Sequence, residues 1–185
     1  MNYQAIIDHF YPEDNQLRQI LLQHSRMVAN RALRICDAHP KWPIDRKFVE
    51  EASMLHDIGI CRCHAPGISC YGDAPYICHG RLGADMLRAL GYERHARVCE
   101  RHTGAGITRE AIIRQHLPLP EQDFLPETLE EQIICYADKF YSKTHPEAEK
   151  TYEQAEKSLR KFGEDGLKRF HEWHQRFEPM ECNGK

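Results

Sequence analysis

Apolar residues recur every three or four positions along almost the whole chain, a spacing that suits helices and leaves little room for anything else. Leu17, Leu21, His24, Val28, Ala32 and Ile35 form one such stripe and predict a helix over 14–37, which Pro40 and Pro43 end. Phe48, Val49, Ala52, Leu55 and His56 mark a second helix, with Gly59 as its stop. A third runs through His79, Leu82, Gly83 and Met86 to Gly91, and a short one holds Val98, Cys99 and His102. Thr108 caps one or two further turns. Thr128 and Glu131 have capping-box spacing and open a helix through Ile133, Ile134, Ala137, Asp138 and Tyr141. Beyond Pro146 two charged amphipathic helices are expected, divided near 163–166. No stretch alternates Val, Ile or Thr as a half-buried strand does, so the expected fold class is all-α, a single-domain helical bundle.

A chain of 185 residues is most simply one domain with one core. The patterning divides it into an N-terminal helical segment (1–19), a core (20–145) and C-terminal helices that pack on that core (146–185). Pro66, Gly67, Gly72 and Pro75 break residues 60–77 into a loop longer than most connections, the kind that serves as a lid or binding loop. Tyr152, Ala155, Leu159 and Phe162, then Phe170, Trp173 and Phe177, form stripes expected to pack on the bundle; the alternative is a partner or homodimer face.

The formal charge of −3 argues against bulk electrostatic binding of nucleic acid. No run approaches the ~20 apolar residues that span a bilayer, so no membrane partner is expected. Met1-Asn2-Tyr3-Gln4 lacks a basic region followed by an apolar one, and the expected location is cytoplasmic with reduced thiols. Cys61, Cys63, His64, Cys70 and Cys78 are dense enough for a zinc site, but the one-residue gap between Cys61 and Cys63 is too short for the usual ligand loop. Free thiols are the expectation.

Five places carry an imidazole or carboxylate on an apolar face: His24, the adjacent pair His56-Asp57, His79, His102 and Asp138. One inward histidine is ordinarily a satisfied core residue. Five such places on separate helices are harder to dismiss, because a bundle core gathers side chains from facing helices. A carboxylate among them must be paired or metal-bound, since burying a bare one is costly. Imidazole with carboxylate suits iron, manganese, zinc, cobalt or nickel. The set proposes two metals, with iron the first choice. Asp57, having two oxygens, bridges them; His24, His56 and Asp138 complete one site, and His79 and His102 the other. Water held between two cations loses a proton near neutral pH and becomes a nucleophile, and the cations neutralise phosphoryl charge.

The ordered set His24, His56-Asp57, Asp138 resembles the signature of the HD superfamily of metal-dependent phosphohydrolases, and His56-Asp57-Ile58-Gly59 matches its HDIG variant. His79-Gly80, His102-Thr103-Gly104 and Ala137-Asp138 resemble the subset with a binuclear centre, including symmetrical dinucleoside tetraphosphate hydrolases and other HDIG-domain proteins. The resemblance covers about 20–145. It implies an all-helical HD fold, the ligand roles given above, and catalysis by Asp57 and His56. Ile60-Cys61-Arg62 stands where many HD signalling phosphodiesterases carry Lys, and no Gly-Tyr-Pro follows, which argues against cyclic-di-GMP as substrate. The loop 60–77 does not match the tetraphosphate hydrolases.

The expected partner is a small phosphorylated substrate such as a nucleotide, and it needs cations beyond the metals. Arg62, Arg81 and Lys139 are the candidates, because each flanks a ligand or the loop. The same ligand pattern also resembles di-iron HD oxygenases acting on small polar substrates. A non-catalytic nucleotide-binding module is the third reading, and the intact ligand set counts against it.

Overall fold

A computed structural model describes residues 1–145 and 148–178. Pro146 and the end of the C-terminal segment lie outside them. Among the described residues nine α-helices form the body: α1 (Tyr3–Phe10), α2 (Gln16–Ala38), α3 (Arg46–Leu55), α4 (His79–Ala89), α5 (Glu93–Arg101), α6 (Arg109–Arg114), α7 (Leu129–Asp138), α8 (Tyr152–Leu159) and α9 (Glu164–Phe177). Side chains set their starts. Asn2, Asn15, Asp45 and Thr108 each accept a hydrogen bond from a backbone N–H of the first turn. Thr128 with Glu131, and Thr151 with Gln154, close full capping boxes.

The all-α expectation needs one correction. The loop after α3 contains short 3₁₀ turns and three strands, β1 (Cys63–Ala65), β2 (Cys70–Tyr71) and β3 (Ala74–Pro75). They form a small sheet of order β2-β1-β3, with β2 antiparallel and β3 parallel to β1. Strands two or three residues long cannot show a period of two, so the pattern was invisible in the sequence.

The helix α2 is the spine of two apolar clusters. Val28, Ala32 and Ile35 join Phe48 and Ala52 of α3, Ile133, Tyr136 and Ala137 of α7, and the C-terminal helices. Leu21 and Ala29 join Ile6 and Ile7 of α1, Met54 and Leu55 of α3, and Leu87 of α4. The C-terminal stripes are packing surfaces: Ala155, Leu159, Phe170, Trp173 and Phe177 are buried in the first cluster, and Phe170 and Phe177 meet the Tyr136 ring. Each of the larger side chains contributes roughly 1.5–3 kcal/mol by leaving water. No described helix is long and apolar enough to cross a membrane. The seven described cysteines are free, and those of the loop form no metal-binding group among the described residues.

Gly59 has a different part from the helix stop expected of it. Its φ is not positive, and the chain tightens there into a 3₁₀ turn (Ile58–Arg62). A Cβ on Gly59 would collide with the carbonyl oxygen of His79 and the backbone nitrogen of Gly83. A Cβ on Gly80 would collide with the carbonyl oxygen of Cys99 in α5. Two missing side chains thus let α4 lie directly against both the turn after Asp57 and the end of α5.

Candidate metal centre

Helix ends position the cluster, more than helix faces do. His24 alone stands mid-helix, on α2. His56 and His102 follow the last residues of α3 and α5, Asp138 is the last residue of α7, and His79 is the first of α4. A helix C-terminus leaves carbonyls without intrahelical partners, and the histidines use carbonyls three residues back. The Nδ1–H of His56 donates to Ser53 O at 2.7 Å, that of His79 to Tyr76 O at 2.7 Å, and that of His102 to Cys99 O at 2.7 Å. A carbonyl only accepts, so Nδ1 carries a proton in all three rings and Nε2 is the nitrogen turned to the centre. The negative ends of the α3, α5 and α7 dipoles lie at the same place and favour a cation.

All six residues are buried, and their functional atoms fall into two groups that share Asp57. Asp57 Oδ2 lies 3.1 Å from His24 Nε2 and 3.0 Å from His56 Nε2. Asp138 Oδ1 faces the same two nitrogens at 3.0 and 3.5 Å. Asp57 Oδ1 turns the other way, 3.3 Å from His79 Nε2 and 3.4 Å from His102 Nε2. The Nε2 atoms of His79 and His102 are 3.0 Å apart. Two lone pairs cannot face each other at that distance without a cation or proton between them.

Both ring nitrogens of His24, Nε2 of His56 and both oxygens of Asp57 are buried with no partner in hydrogen-bonding geometry. Four of these atoms, His24 Nε2, His56 Nε2 and both Asp57 oxygens, belong to the same cluster, and unpartnered buried polar atoms gathered in this way suit a cation. The residues therefore fit one metal at His24, His56, Asp57 and Asp138, and a second at Asp57, His79 and His102.

Charge is unevenly shared. Burial disfavours the charged form of His56, but Asp57 and Asp138 outweigh it and hold its pKa up, at about 9. Burial dominates at His79, pushing it down to about 3, and lowers His102 as well. Asp57 and Asp138 both stay ionised despite burial. His56 and Lys143 hold Asp57 far below the usual range, and Lys139 does the same for Asp138.

Those lysines belong to the mouth. Lys139 Nζ sits 2.6 Å from Asp138 Oδ2 and donates to His102 O at 2.9 Å. Lys143 Nζ lies 2.6 Å from Asp57 Oδ2, a close ion pair set off the hydrogen-bonding direction. A cavity of about 190 Å³ opens over the cluster, with His79, His102 and Asp138 in its wall together with Lys139, Lys143, Lys150 and Lys161. A larger groove of about 610 Å³ on α8 and α9 contains none of the cluster.

Of the three substrate-binding candidates, Lys139 lines this cavity and the two arginines do not. Arg62 is exposed at the end of its 3₁₀ turn. Arg81 is turned to Asp85, one helical turn along α4, at 2.9 Å. Arg81, two residues past His79, points elsewhere on its helix, whereas Lys139, directly after Asp138 at the end of α7, reaches the cavity. Lys143, Lys150, Lys161 and Tyr76 were missed. Tyr76 stacks on the His79 ring, centroids 4.7 Å apart. The available signal was the run of lysines between 139 and 161, each on its own indistinguishable from a surface cation.

The sequence pattern of the HD domain matches residues 21–143, a span that contains every residue of the cluster. The chain belongs to the HD domain family. Among curated proteins, this chain is 38% identical over 127 residues to an uncharacterised protein of Methanocaldococcus jannaschii, covering 67% of this chain and 68% of that one. It is 33% identical over 151 residues to a tRNA (cytidine(56)-2'-O)-methyltransferase of Picrophilus torridus, covering 77% of this chain and 40% of the relative. A protein of the same name from Thermoplasma volcanium is 34% identical over 123 residues, 66% of this chain and 32% of that one. The chain thus spans less than half the length of the two methyltransferases. No solved structure matches it significantly.

Proposed function

We propose that this HD domain protein is a metal-dependent phosphohydrolase acting on a small phosphate ester, a nucleotide being the leading class. The observation that carries the reading is the conjunction of a twin His/Asp cluster with a cavity walled by four lysines. A site for a neutral substrate has no use for that much positive charge at its entrance, whereas a phosphoryl group needs it.

Divalent transition metals, iron foremost, supply at such a site a water acidic enough to attack at neutral pH and a countercharge for the phosphoryl oxygens. The chain's own residues do the rest. His24, His56 and Asp138 would hold one ion and His79 and His102 the other, with Asp57 belonging to both groups. The carbonyls of Ser53, Tyr76 and Cys99 keep three imidazoles aimed, so little is reorganised when substrate enters. Lys139 and Lys143 hold the carboxylates ionised and present cationic edges to the cavity. Burial of the cluster keeps bulk water from competing with these contacts. The methyl transfer named for the two longer relatives belongs to proteins of which this chain matches the lesser part, and it is not carried over.

The test is metal analysis of the purified protein followed by a screen of phosphate esters, run with and without oxygen. Hydrolysis that survives anaerobic conditions supports the reading. Turnover that requires oxygen assigns the centre to the oxygenase chemistry that the same ligand pattern permits.

A further inference from the structure

The cavity over the cluster has a neighbour. A second space of about 460 Å³ is bounded by Ala65, Gly67 and Ile68 of the loop on one side and by Ser142 and Thr144 on the other. The two spaces share a wall made of Tyr76, Tyr141, Lys143, Lys150 and Lys161. A ligand seated with its reacting group over the cluster and long enough to leave that space has a path past these lysines into the larger one.

The four lysines are not equivalent. Lys139 and Lys143 are engaged with Asp138 and Asp57. Lys150 and Lys161 have no ion-pair partner among the described residues. The Lys150 side chain is half-buried; burial, with the nearby Lys139, Lys161 and Lys143, pulls its pKa down against the opposing pull of Asp138. A half-buried ammonium with three cations near it and no ion-pair partner among the described residues is stabilised by an anion placed among the group. Lys161 is exposed at the cavity rim, 5.0 Å from the centre of the Phe162 ring. Both lysines lie beyond residue 143, where the family match ends. They are carried by the stretch before α8 and by the 3₁₀ turn after it (Arg160–Phe162), which the C-terminal helices fix to the core.

We infer that Lys150 and Lys161 form a second anion subsite, so that the substrate carries two separated phosphoryl groups, one over the His/Asp cluster and one between these lysines. The C-terminal segment is then a specificity element that this chain adds to the HD core. The inference rests on the phosphohydrolase reading for the identity of the first group, and it is testable by binding alone.

The experiment uses the full-length protein with its metals and non-hydrolysable probes: propylphosphonate, and alkane bisphosphonates with linkers of different length. Calorimetry should show at least one bisphosphonate binding wild type about tenfold more tightly than propylphosphonate, the gain of one added charge-assisted contact. In K150A/K161A that gain should vanish, each bisphosphonate binding no more tightly than propylphosphonate does to the same variant. K150R/K161R should retain the gain, and an unchanged thermal midpoint in both variants shows that the fold is intact. A gain that persists in K150A/K161A, or no gain at any linker length in wild type, overturns the subsite. Discrimination without hydrolysis of any phosphate ester would leave the subsite standing and remove the hydrolase reading; monoester hydrolysis without discrimination would do the reverse.

Discussion

The floor and the mouth of the site are built by opposite means. The floor is wired locally: three of its four histidines are held by the carbonyl three residues earlier, and two glycines lock α4 onto the neighbouring elements. The mouth is assembled at long range by lysines from the loop after α7 and the turn after α8, with no hydrogen bond between them. A floor of this kind fixes where an ion sits to a fraction of an ångström. A mouth of flexible cations selects by charge and tolerates variation in shape. The lesson is that chemistry and selectivity reside in separate parts of this chain, and substitutions should separate them.

The comparison breaks most completely at Asp57, which serves both halves of the floor. Asp57→Ala should abolish bound metal and lower turnover by several orders of magnitude, read by elemental analysis and a phosphate-release assay. Two retained metals with full turnover would remove Asp57 from the centre. Next in size is the packing that aligns the floor. Gly59→Ala forces backbone apart at His79 and Gly83 and should cost roughly 1–3 kcal/mol, seen as a thermal midpoint lowered by about 2–12 °C, with weaker binding at the His79/His102 position. Smaller again is a change confined to the mouth. Lys143→Ala removes the cation 2.6 Å from Asp57 and should raise KM about tenfold, the loss of one charge-assisted contact, while metal content holds. Loss of metal in that variant would make Lys143 part of the floor.

The subtlest distinction lies within the floor and is read by pH on protein stripped of metal. His79 is pushed down to about 3 from an ordinary value near 6.5. Between those limits the unfolded chain binds more protons than the folded one, so stability rises with pH through that window. His56, held up at about 9, acts in the opposite sense: its contribution is complete below about 6.5 and is lost as pH climbs through 9. Denaturant midpoints of the stripped protein should therefore peak near pH 6.5. A midpoint that climbs steadily from pH 6.5 to 9 would contradict the coupling of His56 to Asp57 and Asp138.

The floor was largely legible in the sequence because an imidazole between Leu21 and Val28, or a carboxylate one turn after Ile134, stands out against an apolar stripe. What the stripe could not show is that His56, His102 and Asp138 occupy helix ends, where free carbonyls and dipoles do the positioning. The small sheet was hidden by the brevity of its strands, and the part played by Gly59 by the fact that close approach is a property of two elements and not of one. The mouth was nearly illegible. Lys143, Lys150 and Lys161 are unremarkable surface residues until the chain folds back over the cluster, whereas Arg62 and Arg81 stand out in the sequence only by flanking the loop or a ligand.

Phosphate release from a panel of mono- and diesters is the most direct measurement, made on metal-loaded, chelator-stripped and reloaded protein under anaerobic conditions. The two-metal phosphohydrolase reading predicts release by the loaded protein, its loss on stripping and its return on reloading, all without oxygen. Release that is indifferent to stripping, or turnover that appears only when oxygen is admitted, would contradict it.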